Sequence, residues 1–366
     1  MFLRELQLVN FRNYKLLNMV FNSNINIILG NNAQGKSNLL ESIYLLSMGK
    51  SFRTVIDAEM INFSEEYLRV KGNFDKSDEE LSLEVMFSKI KKKFKINGLE
   101  SSKNSDLLEN AYIVVFSPED LRIVKDEPEK RRKYLDRELF MIKPLYFKDL
   151  SKYKKSVMQR NALLKSEYPD DSMLDVWDEN MVYFGCKVMD ERKAFINKLI
   201  TVSREIHSEI TGRNEELELG YESNIEAFDE PESQTFAFKQ ALIDSREKDL
   251  LRKTTTRGPH KDDLSIQIDG VDARRFGSQG QQRTAALSLK LAELAIIKEE
   301  TGEDAIILLD DVLSELDGER QHFLIKSLSN NQLFISAAEI NKDIKNTFNQ
   351  GEFFFVEEGK VSKKIF

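Results

Sequence analysis

The chain has 366 residues, 41% of them apolar and 32% charged, and its formal net charge is −8. This length exceeds one simple core and predicts two packed lobes or one domain with a large insertion, while the acidic balance argues against a general nucleic-acid binder. A single cysteine, apolar runs too short to cross a membrane and the lack of an apolar N-terminal signal exclude disulfide-rich, membrane and secreted classes, so we expect a soluble protein of the cytoplasm.

Strand-like patterns dominate the first third of the chain. Short apolar runs predict buried strands, and apolar–polar alternation predicts strands with one exposed face. The segments with these patterns are 25–29, 67–75, 81–88, 92–96 and 111–116. Asn97-Gly98 supplies a typical hairpin turn after the fourth of them.

Long helical segments replace the strands from about 128 to 250, and Pro169 with the acidic pair after it predicts a break between two of them. Mixed patterns then return. They predict strands at 264–268, 305–309, 333–335 and 353–356, and a largely apolar helix at 281–298. The layout predicts an α/β head split by a helical insertion, with parts at 1–125, 126–250 and 251–366.

A phosphate-binding pattern follows the first predicted strand. The segment Gly30-Asn31-Asn32-Ala33-Gln34-Gly35-Lys36-Ser37 fits G-x-x-x-x-G-K-[S/T] and opens a helix. Gly30 and Gly35 let backbone N–H groups point at phosphate oxygens, and the helix dipole at Lys36–Asn38 adds attraction. Lys36 is expected to reach the β- and γ-phosphates of ATP, and the Ser37 hydroxyl is expected to bind Mg²⁺.

A pair of carboxylates follows the buried run at 305–309. P-loop proteins usually hold magnesium on a carboxylate at the C-terminal end of a buried strand, which assigns that role to Asp310. Asp311 is placed to orient the attacking water, although such a pair is also compatible with a polar turn. About 270 residues separate the pair from the P-loop, so a large segment must be inserted between them.

A third motif, Ser278-Gln279-Gly280-Gln281, stands at the start of the helix predicted at 281–298. Ser278 can cap that helix, and Gly280 permits close approach of another backbone. A serine with free N–H groups at a helix start forms an anion site, but an ordinary N-cap has the same sequence. The turn Ser314-Glu315-Leu316-Asp317 follows the aspartates, so the motif does not stand alone.

These motifs in this order resemble the ABC-type ATPase heads of the SMC group, and within that group the sequence closely resembles the RecF family of bacterial recombination mediators. The fold implied is an α/β, ABC-type (SMC-like) P-loop ATPase head with a large, mainly helical inserted lobe. The matching segments span nearly the whole chain: 10–14, 30–41, 51–53, 116–121, 131–136, 159–161, 258–263, 278–283 and 308–317.

The resemblance implies an ATP-dependent homodimer that closes head to tail around two ATP molecules. Ser278, Gly280 and Gln281 of one subunit would cap the ATP held by the P-loop of the other, and Asp317 would contact the facing subunit. Family members are understood to bind duplex DNA at gaps, to work with RecR and RecO, and to help load RecA onto single strands. Arg12 would help hold the α-phosphate or the base, although a surface arginine is nearly as compatible with its position.

Two departures from the family pattern bear on the mechanism. Many ABC heads have glutamate where Asp311 stands, and the shorter side chain predicts slow ATP hydrolysis. The resemblance to RecF implies that DNA stimulates this hydrolysis. The histidine expected after the next strand is missing, since Ser336-Ala337-Ala338 follows there. Two other functions stay open: the nucleotide-binding subunit of a membrane transporter, and a scaffold that binds ATP without hydrolysing it.

DNA contact is expected at clustered basic residues rather than through the net charge. Basic runs lie at 91–95, 130–133, 152–165 and 252–257, and the first three are candidate DNA contacts. A solvated face is the ordinary explanation of any single run. Since no base-reading motif or aromatic stacking platform is evident, binding is predicted to be sequence-independent and strongly salt-dependent.

Overall fold

The computed structural model describes residues 1–76, 79–101, 103, 106–338 and 351–364. The chain forms two compact units. The first, here called the head unit, comprises Met1–Leu121 and Leu294–Phe366, and the second, the inserted unit, comprises Arg122–Glu293. Among the described residues, no helix combines the length and the apolarity needed to span a bilayer.

The second boundary between the units lies at 293, whereas the sequence predicted it at 250. The reason is strand pairing. The predicted strand at 264–268 forms in the structure as Asp263–Ile268, and it pairs antiparallel with Leu217–Glu222, a strand that the sequence analysis did not predict. This pairing holds the segment after 250 within the inserted unit.

An antiparallel sheet forms one layer of the head unit. Its strands are β1 (Phe2–Phe11), β2 (Tyr14–Val20), β4 (Tyr67–Lys76), β5 (Glu79–Ser88), β6 (Lys92–Ile96) and β7 (Leu99–Ser101). They are ordered β2-β1-β4-β5-β6-β7. Alternation buries one face, for example Leu68 and Val70 of β4 beside Leu83 and Val85 of β5, so the predicted strands and the Asn97-Gly98 turn are confirmed.

A second sheet of the head unit is mainly parallel. Its strands are β3 (Ile25–Leu29), β8 (Ile113–Phe116), β12 (Ile306–Asp310), β13 (Leu333–Ala337), β14 (Glu352–Glu357) and β15 (Lys360–Lys364). The order is β15-β14-β3-β13-β12-β8, and only β15 is antiparallel to its neighbour. Continuous apolar runs such as Ile306–Leu309 are buried on both faces, as parallel sheets require.

One helix fills the space between these two sheets. This helix, α1 (Lys36–Met48), contacts β1, β4 and β5 on one side and β8, β12 and β13 on the other. Eleven of its thirteen residues are buried, including Glu41. A helix buried nearly all round occupies a central core position, and this one carries the end of the P-loop into the middle of the head unit. Among the described residues, the other α-helix wholly within the head unit is α8 (Gly318–Ser327).

The inserted unit is mainly helical, as predicted. Its helices are α2 (Pro128–Ile142), α3 (Pro144–Leu164), α4 (Asp171–Ile210), α5 (Pro231–Arg252), α6 (Ala273–Phe276) and the first part of α7 (Gln279–Thr301). Its small sheet contains β9 (Leu217–Glu222), β10 (Asp263–Ile268) and β11 (Val271–Asp272). The predicted break at Pro169 is confirmed, because Asp170 caps α4 by accepting from the backbone N–H of Ser172 at 2.9 Å.

Candidate nucleotide site

Three parallel strands of the head unit bring the predicted site residues to one edge. β3, β13 and β12 lie side by side in that order, and their C-terminal ends meet at the same edge of the sheet. The P-loop follows β3, Asp310 ends β12 and Ser336 stands near the end of β13. Ligands in open α/β sheets bind at this edge.

A cavity of about 230 Å³ lies at this edge. Its lining contains seven of the predicted residues and one that was not predicted, Arg53. The lining residues are Asn32, Ala33, Gly35, Lys36, Ser37, Asn38, Arg53 and Asp311. The P-loop and the second aspartate are therefore adjacent in space despite their separation in sequence.

Lys36 is buried, and its ammonium group is held by the loop itself. The Nζ atom donates to the carbonyl oxygens of Gly30 at 2.8 Å and of Asn31 at 3.1 Å. An ammonium group can be buried at low cost only when its donors are satisfied, and these carbonyls do so. An anion that enters the cavity offers the same donors a charged acceptor, which forms a stronger hydrogen bond.

The loop needs glycine at both ends of the pattern. Gly30 has φ 152° and Gly35 has φ 122°, a region that favours glycine. A Cβ atom on Gly30 would lie 2.3 Å from the carbonyl oxygen of Val356, and one on Gly35 would lie 2.6 Å from Nδ2 of Asn13. The backbone therefore turns as the phosphate-binding pattern predicted, and it is packed on both sides.

Gln34 faces away from the cavity and fixes the tip of the loop. Its side-chain Oε1 accepts from the backbone N–H of Glu358 at 2.7 Å, and its carbonyl oxygen accepts from Nδ2 of Asn13 at 2.8 Å. Asn13 belongs to the turn between β1 and β2, and Glu358 to the turn between β14 and β15. Residues near both ends of the chain thus hold the P-loop in place.

Ser336 links Asp310, the predicted magnesium ligand, to Asp311, the predicted catalytic residue. Its Oγ donates to Oδ1 of Asp310 at 2.9 Å and accepts from the backbone N–H of Asp311 at 3.0 Å. Ser336 is buried, Asp310 is buried and Asp311 is half-buried. Ser336 therefore orients Asp310 and fixes the backbone of Asp311, in the segment where the sequence lacks the expected histidine.

Asp311 combines a left-handed backbone conformation with a raised side-chain pKa. The residue adopts a left-handed conformation with φ 52°, directly after β12, and lines the cavity beside Lys36. Burial raises the pKa of Asp311 above its usual value, the Asp310 carboxylate raises it further, and the Lys36 ammonium opposes the shift. A carboxylate with a raised pKa is a better general base near neutral pH.

Arg12 contacts protein rather than the small cavity. Its Nε and Nη2 atoms donate to the two carboxylate oxygens of Glu41 at 2.9 and 2.7 Å, and Nη1 donates to the Glu59 carbonyl oxygen at 2.7 Å. Arg12 also lines a neighbouring cavity of about 850 Å³, which shares Asn38 and Arg53 with the small one. Arg12 is not an ordinary surface arginine, because its side chain is only 18% exposed and pairs with a buried carboxylate of α1.

Arg53 is the lining residue for which the sequence analysis proposed no role. Its Nη1 donates to Oδ1 of Asn38 at 2.7 Å, and Nδ2 of Asn38 donates to Oδ1 of Asn13 at 2.8 Å. With its side chain 43% exposed, the Arg53 guanidinium is the accessible cation between the two cavities. The segment 51–53 is one of those that resemble the family, and this resemblance was the only indication in the sequence that Arg53 has a role.

The predicted signature residues lie at the start of α7, within the inserted unit. The Ser278 Oγ accepts from the backbone N–H of Gln281 at 3.2 Å, and Oε1 of Gln281 accepts from the backbone N–H of Ser278 at 2.9 Å. This reciprocal pair is a capping box, so the predicted N-cap is confirmed. Gly280 lies between them in the first turn. In the other candidate turn, Asp317 caps α8 by accepting from the backbone N–H of Arg320 at 3.0 Å.

Two arginines of the predicted DNA-contacting runs are buried in the inserted unit, so their assignment to a DNA surface is wrong. Arg131 pairs in a bidentate manner with Asp263, at 2.7 Å for both contacts. Arg160 is fully buried and donates to Asp178 at 2.5 Å and to Asp249 at 2.7 Å. Both arginines join helices and strands within this unit and are not available to a phosphate backbone.

The predicted magnesium ligands carry oxygen atoms, which suit magnesium better than a transition metal. Ser37 and Asp310 supply a hydroxyl and a carboxylate, and no group of three or more His, Cys, Asp or Glu side chains that could hold a metal occurs in the part of the chain that the structure describes. Magnesium in nucleotide sites usually takes one or two protein oxygens and completes its shell with phosphate and water. The residues present fit that pattern.

The fold and the site together define an ABC-type P-loop ATPase head of the SMC kind, with a helical inserted unit. The model of the family described as RecF/RecN/SMC N terminal domain matches residues 2–359. The relatives make the assignment narrower: the chain belongs to the RecF family of DNA replication and repair proteins.

The similarity to individual RecF proteins covers almost the full length of both chains. The protein is 44% identical to the DNA replication and repair protein RecF of Clostridioides difficile (strain 630), over 98% of this chain and 97% of that one. It is 42% identical to RecF of Agathobacter rectalis (strain ATCC 33656), over 99% of each chain. A solved structure of the recombination mediator protein RecF with ATP, in the RecFOR pathway, matches with a TM-score of 0.92 at 38% identity, over 100% of this chain and 98% of that one.

More distant neighbours support the fold alone. The head domain of Smc from Pyrococcus furiosus, solved with an extended coiled coil and bound to the C-terminal domain of ScpA, matches with a TM-score of 0.55 at 15% identity. It covers 99% of this chain and 96% of that one. The predicted fold class, an SMC-like ATPase head with an inserted lobe, is therefore confirmed.

Proposed function

We propose that this protein is an ATP-dependent DNA-binding protein of recombinational repair and replication restart. ATP drives two copies together on duplex DNA at single-strand gaps, and slow hydrolysis releases them. The observation that carries the proposal is the convergence of Lys36, Ser37 and Asp311 on one cavity in a chain of the RecF family. The relatives named above suggest DNA and ATP as the ligands. One is a DNA replication and repair protein, and the structure of another was solved with ATP.

ATP would bind with its phosphates in the small cavity, against the loop from Gly30 to Asn38. Lys36 would exchange the carbonyl oxygens of Gly30 and Asn31 for the β- and γ-phosphates. The adjoining larger cavity, which shares Asn38 and Arg53 with the small one, offers room for the ribose and the base. Arg12 lines that larger cavity and would approach this part of the nucleotide while remaining paired with Glu41.

Ser37 and Asp310 would hold Mg²⁺. When bound there, the ion would offset the negative charge that the phosphate oxygens carry. Asp311 would accept a proton from the attacking water, with its backbone fixed by Ser336. Because aspartate is one methylene shorter than the glutamate of many ABC heads, turnover is expected to be slow, and DNA is expected to stimulate it.

Ser278, Gly280 and Gln281 would complete the site from the facing subunit of a homodimer. The capping box orders this helix start, and Gly280 leaves room for a phosphate to approach the backbone. ATP would then act as a ligand shared by two chains, which stabilises the dimer by mass action. In the RecFOR pathway, the expected partners are RecR and RecO, and the expected outcome is loading of RecA.

The test is the anisotropy of a fluorescent duplex with a single-strand gap, measured with the full chain and no nucleotide, ADP or ATP. We expect tight binding only with ATP. The variant Lys36→Ala should lose it, and the matched control Lys15→Ala, which changes an exposed lysine of β2, should retain it. Binding that ignores the nucleotide, or no binding at low salt, contradicts the proposal.

Hydrolysis is tested separately. Asp311→Asn should leave ATP-driven dimerisation intact and block turnover, whereas normal turnover in this variant would show that Asp311 is not the base. A wild-type protein that dimerises with ATP without DNA-stimulated turnover would instead be a scaffold that only binds ATP. The transporter alternative is not favoured, because the relatives match the whole chain as DNA replication and repair proteins.

A further inference from the structure

We propose that DNA binds to an exposed lysine stripe on α3, formed by Lys148, Lys152 and Lys155 and here called the α3 stripe. This inference rests on the proposed DNA-binding function and adds the surface that performs it. It follows from the contacts that occupy the basic residues of the other runs, and from the charge and exposure of the helix itself.

The run at 91–95 is charge-matched on its own sheet. Lys92 forms an ion pair with Asp57, and Lys93 pairs with Glu100 at 3.1 Å. In the strand register, Lys95 lies opposite both Glu84 and Glu100 on neighbouring strands. Cross-strand pairs of opposite charge stabilise a sheet, and the carboxylates here reduce the net positive charge of this run.

Most basic side chains of the run at 130–133 contact other residues of the inserted unit. Arg131 is buried against Asp263, and Arg132 donates to the carbonyl oxygen of Asp262 at 2.6 Å. Lys133 pairs with Glu129 one turn earlier at 2.6 Å. In the short run at 252–257, Arg257 donates to the carbonyl oxygen of Asn224 at 3.2 Å. Three of the four basic residues at 130–133 therefore have a partner within the inserted unit.

The segment 143–165 differs from these runs in charge and in geometry. It contains six lysines and Arg160 against a single acidic residue, Asp149. Arg160 is buried, and Lys154 pairs with Asp136 at 3.2 Å. A helix advances about 100° per residue, so the lysines at 148, 152 and 155 fall within about 60° of one another on one face. All three are exposed.

The neighbouring helix contributes one lysine close to the acidic residue of this segment. α4 packs along α3 and contributes Lys187, which is exposed and lies near Asp149, so the one acidic side chain of the segment is balanced. The Nζ of Lys152 lies 5.0 Å from the ring centroid of Phe184, which supports its stem and leaves it exposed.

The partner that fits such a surface is the backbone of duplex DNA. The stripe is about 10 Å long at 1.5 Å per residue, and it presents three ammonium groups without a base-reading side chain. Three such contacts neutralise phosphates and release counterions, which makes binding independent of sequence and sensitive to salt. An overall acidic chain can bind DNA through such a local surface.

The test compares two triple variants with the same change in net charge. Lys148, Lys152 and Lys155 are replaced by Gln in one, and Lys71, Lys93 and Lys95, on the charge-matched sheet, are replaced by Gln in the other. Binding of the gapped duplex with ATP is measured by anisotropy at 50–200 mM salt. If each stripe lysine neutralises one phosphate, the slope of log K against log salt should fall by about 2.7 in the stripe variant only. Over this range, wild type should therefore lose about 40-fold more affinity than that variant.

The other outcomes are distinguishable. Suppose that wild type binds DNA and that the slope of log K against log salt falls equally in both triple variants, or in neither. The α3 stripe is then not the contact surface, although the proposed function stands. If wild type does not bind DNA with ATP, the proposed function itself fails. Replacing the three stripe lysines by Arg retains the charge and should retain the slope, and loss of binding in that variant would contradict a backbone contact. ATP-driven dimerisation of each variant is measured by sedimentation and shows whether the head unit still binds ATP and dimerises.

Discussion

Removing the hydroxyl of Ser336 should destabilise the head unit and weaken the magnesium site together. In Ser336→Ala, the backbone N–H of Asp311 and Oδ1 of Asp310 both lose a partner, at 3.0 and 2.9 Å respectively. A buried polar group left without its hydrogen bond costs about 1–3 kcal/mol. Asp311 is also in a left-handed conformation that the surrounding structure must impose. We therefore expect the free energy of unfolding to fall by about 2–3 kcal/mol.

The assay is urea unfolding followed by circular dichroism, with the magnesium dependence of ATP turnover measured in parallel. Ser327→Ala is the control, since it removes an exposed hydroxyl with a single local hydrogen bond and should change stability by less than about 0.5 kcal/mol. Ser336→Thr retains the hydroxyl but adds a methyl group in a buried position. It should lose stability and retain the wild-type magnesium dependence.

Two results would refute this reasoning. If Ser336→Ala unfolds at the same urea concentration as wild type, the two hydrogen bonds do not stabilise the sheet edge. If Ser336→Ala and Ser336→Thr need the same magnesium concentration for half-maximal turnover, Ser336 contributes packing alone and does not orient Asp310.

Three other predictions concern residues that the structure places around the site and in the inserted unit. Arg12→Ala should lower the free energy of unfolding in urea by about 3–5 kcal/mol, because it leaves the buried Glu41 carboxylate without its bidentate partner. Unchanged stability with weaker ATP binding would show instead that Arg12 acts mainly on the nucleotide. Gly30→Ala should abolish ATP binding in calorimetry, because its Cβ would lie 2.3 Å from the Val356 carbonyl oxygen, and normal binding would contradict that geometry. Burial lowers the pKa of His260 to about 4 from 6.5. The neutral histidine therefore contributes to the free energy of unfolding above pH 6.5, and this contribution is lost as the pH falls towards 4. His260→Gln should therefore lose less stability than wild type between pH 7 and pH 4.5, by up to about 3 kcal/mol, and parallel pH profiles would contradict the prediction.

The nucleotide-binding motifs could be predicted from sequence because their chemistry is local. Gly30 and Gly35 are required by the backbone of one loop, and Asp310 by the end of one strand. The supporting contacts join residues far apart in the chain, and no local pattern marks them. Gln34 and Glu358 are 324 residues apart, and neither side-chain type indicates which partner it will meet.

Helical spacing, unlike charge, indicates that Arg131 and Arg160 are buried and do not belong to a DNA-binding surface. Arg160 is seven residues after Tyr153, so it lies on the same side of α3 as the buried Tyr146 and Tyr153. Arg131 precedes Tyr134, Leu135 and the other buried residues of α2 at helical spacing. A cation on the apolar stripe of a helix is therefore predicted to be buried with a carboxylate partner. Only cations off that stripe, such as the lysine at 152, are available to DNA.

The same parallel sheet explains how a long insertion can separate the two halves of the site. β8, which precedes the inserted unit, and β12, which follows it, are neighbouring strands in register from Ile113 opposite Ile306. A folded segment that leaves and re-enters between neighbouring strands adds little closure entropy, which grows slowly with length. β12 in turn lies one strand away from β3, with β13 between them. Strand order therefore brings Asp310 to the same sheet edge as the P-loop, and Ser336 of the intervening strand donates a hydrogen bond to its carboxylate.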